Sequence, residues 1–558
     1  MIPKKIAEII ENALLRLVKS GDFSLDIEEL PAEITVEKPK SKEFGDWSSN
    51  IAMQLAKKAG MSPRALAERL AHEIAMVDDV EKAEVAGPGF INIFVSNDAR
   101  ASVLCDVIYK NADFGRNLVR QNDIINLEFV SANPTGPLHL AGARWAAVGD
   151  SLTRILEFSG AKVVREYYIN DHGVQIDNFA ASLKAVAEGT EIPENGYHGE
   201  YVGEIAAKII TSISKKREPA AIDIEEYADE GVKIMLDEIK RDLIEFRVKF
   251  DVFFKESSLY TDGKVAKAIE KLQNLGALYK KDGALWFQST DFGDDKDRVL
   301  TKSNGENAYF AADIAYYIDK LERGANSLIY ILGADHHGYV GRLAALSRAL
   351  GFNPDENLRI LIGQTVSLLR DGKVVKQSKR AGDVLTLQDL IGFVGADAAR
   401  YSLARSSVNS TLDIDLNLLM SNTNENQVYY VQYAHARTQN IERKATKYEG
   451  YLDYKSQTDD FKLDLLDTDL DKSLITTIAE FESIAKTAAK ELRQHLIAHY
   501  IERLAQEYHK WYATYRALPS EGEKLDDKHL ARLYLNKCVG IVIKNGLNLL
   551  GVEAPDRM

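Results

Sequence analysis

The chain has 558 residues, of which 45% are hydrophobic and 28% charged, the balance of a globular protein with a large core and three or four domains. Its only cysteines, Cys105 and Cys538, exclude a disulfide framework and a multi-cysteine zinc site, and they favour a reducing, cytoplasmic setting. The net charge of −14 argues against a protein that coats nucleic acid. Residues 426–558 are nearly neutral, however, with 19 Lys and Arg against 20 Asp and Glu, so this part can still present a basic face.

The first 115 residues predict a small α+β domain. Apolar residues recur at helical spacing from Ile6 to Val18, which predicts an amphipathic surface helix and not a signal peptide. Ser62-Pro63 is typical of a helix N-terminus, and Gly87-Pro88-Gly89 introduces a strand over Phe90 to Val95. No uninterrupted apolar run approaches 18 residues, so we expect no membrane contact.

The middle of the chain, residues 116–425, predicts a Rossmann-like domain with a parallel sheet. A buried strand over 124–130, a turn-rich loop, a helix over about 139–158 and a strand over 162–169 form a βαβ unit. Further strands are predicted at 328–332 and 359–362, and a charged, helical stretch at about 177–279 is interpreted as an insertion. Residues 426–558 show apolar and aromatic residues at helical spacing, which predicts an all-α bundle.

The loop after the first strand of the βαβ unit is the first candidate site. Ligands of doubly wound folds bind at the carboxyl ends of the strands, and a helix N-terminus favours phosphate. His139, at the start of the helix, is therefore a candidate for stabilising charge on an ATP phosphate. The alternative is a histidine that only caps the helix, which is the commoner role of an isolated histidine at such a position.

A basic segment between Gly372 and Gly382 is the second candidate. It contains Lys376, Lys379 and Arg380, which could hold a triphosphate and neutralise the charge that develops on pyrophosphate. The alternative is a solvated basic turn, which most charge runs are.

Several longer segments resemble arginyl-tRNA synthetases of the bacterial type, over essentially the whole chain. They are EFVSANPTGPLHLAGAR from Glu128, GADHHGY from Gly333, SKRAGDVLTLQDLI from Ser378, VQYAHAR from Val431, and the C-terminal GLNLLGVEAPDRM. Phe44-Gly45-Asp46 and GPGFIN from Gly87 match as well. The two candidate sites correspond to the HIGH and KMSKS signatures of class I synthetases. Gly142 replaces the second histidine of the first signature, and Gln377 and Arg380 replace two residues of the second.

The resemblance implies ATP-dependent activation of L-arginine, release of pyrophosphate, and transfer of arginine to the 3′ end of tRNA(Arg). It implies ATP with Mg²⁺, no structural metal, and a cytoplasmic monomer with an N-terminal domain and a C-terminal bundle that contact tRNA. Three alternatives remain open: the cysteine or methionine enzyme of the same class, a nonenzymatic tRNA-binding paralogue, and a small nucleotidylyltransferase. Two adjacent histidines, His336 and His337, lack an evident third partner and do not indicate a metal site.

The resemblance also assigns site residues. Glu128, Tyr309 and Asp313 would read the guanidinium, although Asp313 could instead be a helix-end charge and Tyr309 a core residue. Asn133 would hold the α-amino group, and Ser131 and His139 complete the arginine site. The catalytic residues would be His139, Lys376 and Lys379. The ATP site would comprise Pro134, Thr135, Gly136, His139, Gly142, His337, Lys376, Ser378, Lys379 and Arg380, and the tRNA contacts Phe44, Tyr429, Tyr433, Arg437 and Trp511.

Overall fold

The computed structural model describes residues 3–21, 25, 30–31, 33–213, 218–375, 385–453, 461–520 and 522–558. The N-terminal part is α+β, as predicted, with a three-stranded antiparallel sheet of order β1-β3-β2. Ser62 caps a helix by accepting a hydrogen bond from the Ala65 N–H, and the predicted strand over Phe90 to Val95 is present. The elements are α1 (Pro3–Ser20), β1 (Trp47–Ser49), α2 (Ile51–Leu55), α3 (Pro63–Ala75), β2 (Val80–Ala86), β3 (Phe90–Val95) and α4 (Asn97–Lys110).

The central part contains a five-stranded parallel sheet of order β11-β10-β4-β5-β6. Its first βαβ unit is the predicted one, β4 (Ile124–Glu128), α5 (Leu140–Phe158) and β5 (Lys162–Ile169). After β4, the strands β5 and β6 are added on one side of it, and β10 and β11 are added on the other side. The direction in which strands are added therefore reverses between β4 and β10. In open α/β sheets, ligands bind outside the carboxyl ends of the strands at such a reversal.

The other elements of this part follow in chain order. They are α6 (Val174–Glu188), α7 (Glu200–Ile213), α8 (Ile224–Glu245), β6 (Val252–Lys255), α9 (Ser257–Thr261), α10 (Lys264–Asn274), β7 (Leu278–Lys281), β8 (Ala284–Phe287), β9 (Arg298–Thr301), α11 (Tyr309–Glu322), β10 (Ser327–Gly333), α12 (His337–Ala349), α13 (Pro354–Asn357), β11 (Leu358–Gly363), β12 (Val366–Arg370), β13 (Lys373–Val374), α14 (Leu387–Ala404), β14 (Leu412–Asp415) and α15 (Leu416–Leu419).

The stretch interpreted as an insertion, residues 177–279, differs from the expectation in one respect. It supplies β6, which is the edge strand of the parallel sheet beside β5. Only the four residues Val252–Lys255 form this strand, and they stand between charged helical segments, so composition did not distinguish them. The antiparallel sheet β7-β8-β9 begins at the end of the stretch and extends beyond it.

The secondary-structure elements of the C-terminal part are all helices within its described residues, as predicted. Its helices are α16 (Gln427–Ala445), α17 (Asp469–Ala479), α18 (Phe481–Glu491), α19 (His495–Thr514) and α20 (Asp527–Leu549). The bundle packs directly on the rest of the chain, since α20 contacts α4 and α5 and α16 contacts α14. No helix within the described ranges is long and apolar enough to cross a membrane.

Candidate active site

A cleft of about 1700 Å³ opens at the carboxyl ends of β4 and β10, where the strand order reverses. The structure brings most of the predicted substrate residues to its walls. Pro134 is buried beside the cleft, and His337 is exposed at the first turn of α12, where its neighbour His336 lines the wall instead. The predicted residues that line the cleft are Glu128, Ser131, Asn133, Thr135, Gly136, His139, Gly142, Tyr309 and Asp313.

The loop after β4 is held in an unusual backbone conformation. Val130 and Ser131 have φ values of 69° and 41°, a region that β-branched and other L-residues rarely adopt. Hydrogen bonds from side chains stabilise this loop. The Ser131 hydroxyl donates to Glu128 Oε1 at 3.2 Å and accepts from the Tyr168 N–H at 3.1 Å, and the Tyr167 hydroxyl donates to the Ala132 carbonyl at 2.7 Å. Strained backbone of this kind concentrates at functional sites, where the surroundings enforce it.

His139 has both of the roles considered for it from the sequence. It is the N-cap of α5, because its Nδ1 accepts a hydrogen bond from the Gly142 N–H at 3.3 Å, and its side chain also lines the cleft. Acceptance at Nδ1 places the ring proton of the neutral imidazole on Nε2. His139 is partly open to solvent, but desolvation by the surrounding cleft lowers its pKa below the usual value, so the neutral imidazole is the main form at pH 7.

The loop of His139 is joined to the start of α14. His139 forms a β-bridge with Thr386, the Leu140 N–H donates to the Leu385 carbonyl at 3.0 Å, and the Leu387 N–H donates to the Leu138 carbonyl at 2.7 Å. Thr386 and Asp389 form a capping box that begins α14. The predicted ATP residues Lys376, Ser378, Lys379 and Arg380 precede this junction in the chain and lie outside the described residues.

Two carboxylates, Asp313 and Glu256, line the same cleft. Burial, as the largest cause, and the charge of Glu256 together raise the pKa of Asp313 to about 7, against a hydrogen bond from Tyr339. Burial also raises the pKa of Glu256, which follows β6 and lies 3.7 Å from His172 Nε2. A buried carboxylate whose ionisation is opposed by a second carboxylate forms a site that a cation would stabilise. The sequence reasoning missed Glu256, although the residue after a parallel strand is where such groups are expected.

Glu128 has a cationic partner of its own. Its Oε2 lies 2.5 Å from Nζ of Lys320, which is fully buried on α11. The Lys320 ammonium lies 4.2 Å and 4.0 Å from the ring centroids of Tyr316 and Tyr330. Burial lowers the pKa of Lys320, and the Glu128 charge opposes this shift. The charge of Glu128 is thus already neutralised by Lys320. In this respect Glu128 differs from Asp313, whose neighbour in the cleft is another carboxylate.

Tyr309 and Asp313 lie one turn apart on α11, as their spacing predicts. The core-packing interpretation of Tyr309 is wrong, because 86% of its side chain is exposed, at the mouth of the cleft. Asn133 donates a hydrogen bond to the side chain of Gln175 at the opposite wall.

The predicted tRNA residues divide into exposed and buried ones. Phe44 is exposed on a short 3₁₀ turn, and the rings of Tyr429 and Tyr433 stack at 5.8 Å between centroids. The guanidinium of Arg437 lies 4.7 Å from the ring centroid of Tyr433 and donates a hydrogen bond to its hydroxyl.

The prediction that Trp511 contacts tRNA is wrong. It is fully buried, and its Nε1 donates to Asp471 Oδ1 at 2.7 Å, so this indole packs the bundle core and does not present a surface to tRNA. Its neighbour on α19, Tyr512, is exposed, and its ring lies 4.6 Å from the Arg437 guanidinium. Tyr512 therefore belongs to the surface on which Trp511 was expected.

Family models match the chain along its whole length, in the order that the architecture suggests. Residues 4–95 match the arginyl tRNA synthetase N terminal domain, residues 104–442 the catalytic domain of class I (R) tRNA synthetases, and residues 431–558 the DALR anticodon binding domain. A parallel-sheet catalytic domain with a cleft at the strand reversal, flanked by these two domains, defines a class I aminoacyl-tRNA synthetase.

Curated relatives specify the amino acid. The chain is 47% identical over 564 residues to an arginine–tRNA ligase from Kineococcus radiotolerans and 48% identical over 606 residues to one from Bifidobacterium adolescentis, with both chains fully covered in each case. Solved arginyl-tRNA synthetases share the fold. The Thermus thermophilus structure aligns with a TM-score of 0.76 at 21% identity over 100% of both chains. The Plasmodium falciparum structure aligns with a TM-score of 0.75 at 17% identity over 100% of this chain and 99% of that one. The chain belongs to the arginyl-tRNA synthetase family.

Proposed function

We propose that this chain activates L-arginine with ATP and transfers it to the 3′ end of tRNA(Arg). The observation that carries the amino-acid specificity is the pair of buried carboxylates, Asp313 and Glu256, in the cleft at the strand reversal. A guanidinium is always charged and presents a planar fork of donors, so it pairs best with carboxylates. The arginine–tRNA ligases at 47–48% identity over full length support the same reaction.

In this proposal the guanidinium binds between Asp313 and Glu256, below the exposed ring of Tyr309. This revises the role expected for Glu128, because Lys320 already neutralises that carboxylate. Glu128 and Ser131 instead shape the loop that carries Asn133, which takes the α-amino group. The carboxylate of the substrate is then directed towards His139 and the start of α5, where ATP binds.

ATP enters as its Mg²⁺ complex, so the metal belongs to the substrate and needs no protein cage. Within the described residues, no three His, Cys, Asp or Glu side chains are grouped as a metal site would require. The ATP phosphates lie along the loop 134–136, near Gly142 and His139, and Lys376, Lys379 and Arg380 neutralise their charge, with Ser378 as a hydrogen-bond donor. His337 does not line the cleft and has no role in this proposal.

The chemistry has two displacement steps. An oxygen of the arginine carboxylate attacks the α-phosphorus, the bond to the bridging oxygen breaks, and pyrophosphate leaves. A ribose hydroxyl at the tRNA 3′ end then attacks the carbonyl carbon, its proton is released, and AMP leaves with the electrons of the broken carbon–oxygen bond. The protein contributes positioning and charge stabilisation: Nε2–H of His139 donates to a phosphate oxygen, and the cationic side chains hold the pyrophosphate.

The nonenzymatic paralogue is the competing proposal, since Gly142 replaces the second histidine of the signature. The Gly142 N–H does not take over a phosphate contact here, because it donates to His139 Nδ1. We expect activity nonetheless, because His139 remains in the cleft as a neutral donor. Aminoacylation of total tRNA with each amino acid in turn tests the proposal. Charging with another amino acid and not with arginine overturns the specificity, and no adenylate with tRNA, ATP and arginine present supports the paralogue.

His139→Asn separates the capping role of His139 from its chemical role. Asparagine is a good N-cap and keeps an acceptor for the Gly142 N–H, but it removes the imidazole donor. We expect adenylate formation in single-turnover kinetics to slow by about 10²–10³, the typical cost of one lost transition-state donor. The thermal midpoint should stay close to that of the wild type. His139→Ala should lose rate and stability together. A wild-type rate for His139→Asn would show that His139 only caps α5.

Arginine binding should depend on pH through the carboxylate pair. The pKa of Asp313 in the empty cleft is about 7, and only the ionised form pairs with a guanidinium. Binding should therefore strengthen as pH rises towards 7, by up to about tenfold per pH unit, and level off above it. Calorimetric titration with arginine from pH 5.5 to 8.5 measures this, with ATP titrated alone for comparison. An arginine affinity that is flat below pH 7 would place the guanidinium elsewhere.

A further inference from the structure

Two buried glutamates stand side by side in the parallel sheet. Glu128 ends β4 and is in register with Glu166 of β5, and the two residues are 6% and 0% exposed. Neighbouring strands lie about 4.8 Å apart, so two carboxylates in register repel each other strongly where little water separates them. Each of them therefore needs a cation of its own, and the end of α11 supplies both.

The two cations lie one helical turn apart. Lys320 is in the last turn of α11 and its Nζ lies 2.5 Å from Glu128 Oε2. Arg323 follows the last residue of α11 and donates to Glu166 Oε2 at 2.7 Å and to Oε1 at 2.8 Å. Glu166 Oε2 also accepts from Asn126 Nδ2 at 2.7 Å. The two ion pairs are built alike, but they differ in what lies beyond the carboxylate.

Only the Glu128 pair reaches the loop after β4. Oε1 of Glu128, which Lys320 leaves open, accepts from the Ser131 hydroxyl at 3.2 Å, and that hydroxyl accepts from the Tyr168 N–H at 3.1 Å. These bonds hold Ser131 at its φ of 41°, two residues before Asn133. Lys320 is fully buried behind the cleft wall, which Glu128, Ser131 and Asn133 line. Lys320 therefore acts on a substrate through Glu128.

The Lys320 ammonium is fixed from two further sides. It lies 4.2 Å from the ring centroid of Tyr316 and 4.0 Å from that of Tyr330, which is in register with Glu128 on β10. The attraction between a cation and an aromatic face is strongest where water is excluded. Lys320 is thus a fixed charge that holds the Glu128 carboxylate in a single orientation.

We infer that Lys320 is a positioning residue for amino-acid binding: it fixes the Glu128 carboxylate and, through it, the loop that presents Asn133 to the α-amino group. This inference rests on the proposed function, which gives Asn133 that role. A carboxylate at this depth that loses its cation takes up a proton or turns towards water. In both cases its hydrogen bond with Ser131 changes, and the strained loop relaxes from the conformation that binds arginine.

The test compares Lys320→Met with Arg323→Met, which breaks the neighbouring ion pair. Lys320→Met should raise the KM for arginine in steady-state aminoacylation by about 10- to 100-fold, because displacement of a substrate-holding group by 1 Å has effects of this size. The KM for ATP should change much less, because the junction with α14 holds His139 separately. Arg323→Met should lower the thermal midpoint and leave the KM for arginine unchanged, because the Glu166 carboxylate has its partners on β4 and α11.

A cycle with Ser131→Ala tests the route from Lys320 to the substrate. Ser131→Ala removes the hydroxyl that joins Glu128 to the loop and should itself raise the KM for arginine. Lys320→Met should then add little in the Ser131→Ala background, because residues that act through one hydrogen-bonded chain are not additive. Effects of the two substitutions that multiply independently overturn the inference, and so does an equal rise in Arg323→Met.

If Lys320→Met does not fold, the double variant E128M/K320M replaces it. This variant buries no unpaired charge and keeps the net charge, and apolar replacement of a buried ion pair often preserves stability. Its KM for arginine should be raised as in Ser131→Ala, and a wild-type value overturns the inference. Failure of the wild type to charge tRNA with arginine would instead overturn the proposed function.

Discussion

Asp313→Asn should lower kcat/KM for arginine by a factor that corresponds to about 2–5 kcal/mol of lost transition-state stabilisation. This is the range for truncating one partner of a buried charge pair. The substitution keeps the size of the side chain and removes the charge that pairs with the guanidinium. Glu256 then remains alone opposite the substrate, and its own pKa is already raised by burial. The ratio of kcat/KM for arginine to that for citrulline, the neutral isostere, should shrink, because the loss falls on the charged substrate. Steady-state aminoacylation with both substrates gives the two values.

Glu322→Gln is the matched control for this variant. Glu322 is exposed at the end of the same helix, α11, and pairs loosely with Lys271 at 3.6 Å. Its neutralisation should leave both substrates unaffected. An unchanged arginine-to-citrulline ratio in Asp313→Asn would return Asp313 to the role of a helix-end charge. Glu256→Gln should behave like Asp313→Asn, since the two carboxylates share one wall of the cleft.

Much of the fold could be predicted because its signals are local. The strands β4, β5, β10 and β11 are short buried runs bounded by turns, and α5 begins and ends within one residue of the prediction. The strand β6 was missed for a physical reason. It is a four-residue edge strand whose pairing with β5 is set by tertiary packing, and its sequence does not differ enough from the helical stretches around it.

The candidate site was predictable where a motif placed it and not where only tertiary structure does. The loop after β4 lies in a recognisable sequence motif, and so do Tyr309 and Asp313. All of them line the same cleft. Glu256 comes from a different strand, and the partnership of Glu128 with Lys320 joins residues 192 positions apart. Trp511 shows the opposite error. Helical spacing places an aromatic residue on a face but does not tell which face is buried, and the partner of its N–H is on another helix.

Arg400 joins the catalytic part of the chain to the end of the bundle. It is fully buried on α14, and its Nη2 lies 2.5 Å from Asp150 Oδ2 on α5, the helix that His139 caps. It also donates to the Phe246 carbonyl at 2.7 Å and to the Leu550 carbonyl at 3.1 Å. The C-terminal bundle supplies one of these acceptors, the Leu550 carbonyl. Removal of the bundle would therefore expose α5 and leave Arg400 without one of its hydrogen-bond partners. Point substitutions therefore probe tRNA binding more cleanly than deletion of residues 426–558.

Arg400→Met should lower the stability of the protein by about 3–5 kcal/mol, the cost of removing one partner of a buried ion pair. Arg154→Met is the matched control. Both arginines contact Oδ2 of Asp150, but Arg154 is 37% exposed, and partly exposed pairs contribute at most about 1 kcal/mol.

The double variant D150L/R400M separates charge from hydrogen bonding. In Arg400→Met, the buried carboxylate of Asp150 keeps only Arg154 as a cationic partner. The double variant removes this carboxylate as well, so part of the lost stability should return. Recovery should stay incomplete, because the Phe246 carbonyl still lacks its donor, at about 1–3 kcal/mol, and the Leu550 carbonyl keeps only a 3.4 Å hydrogen bond from the Ser151 hydroxyl. Urea titration followed by far-UV circular dichroism measures the midpoints, which are compared directly because a chain of several domains need not unfold in one step. Equal midpoints for Arg400→Met and Arg154→Met would mean that the buried pair does not hold the two parts together.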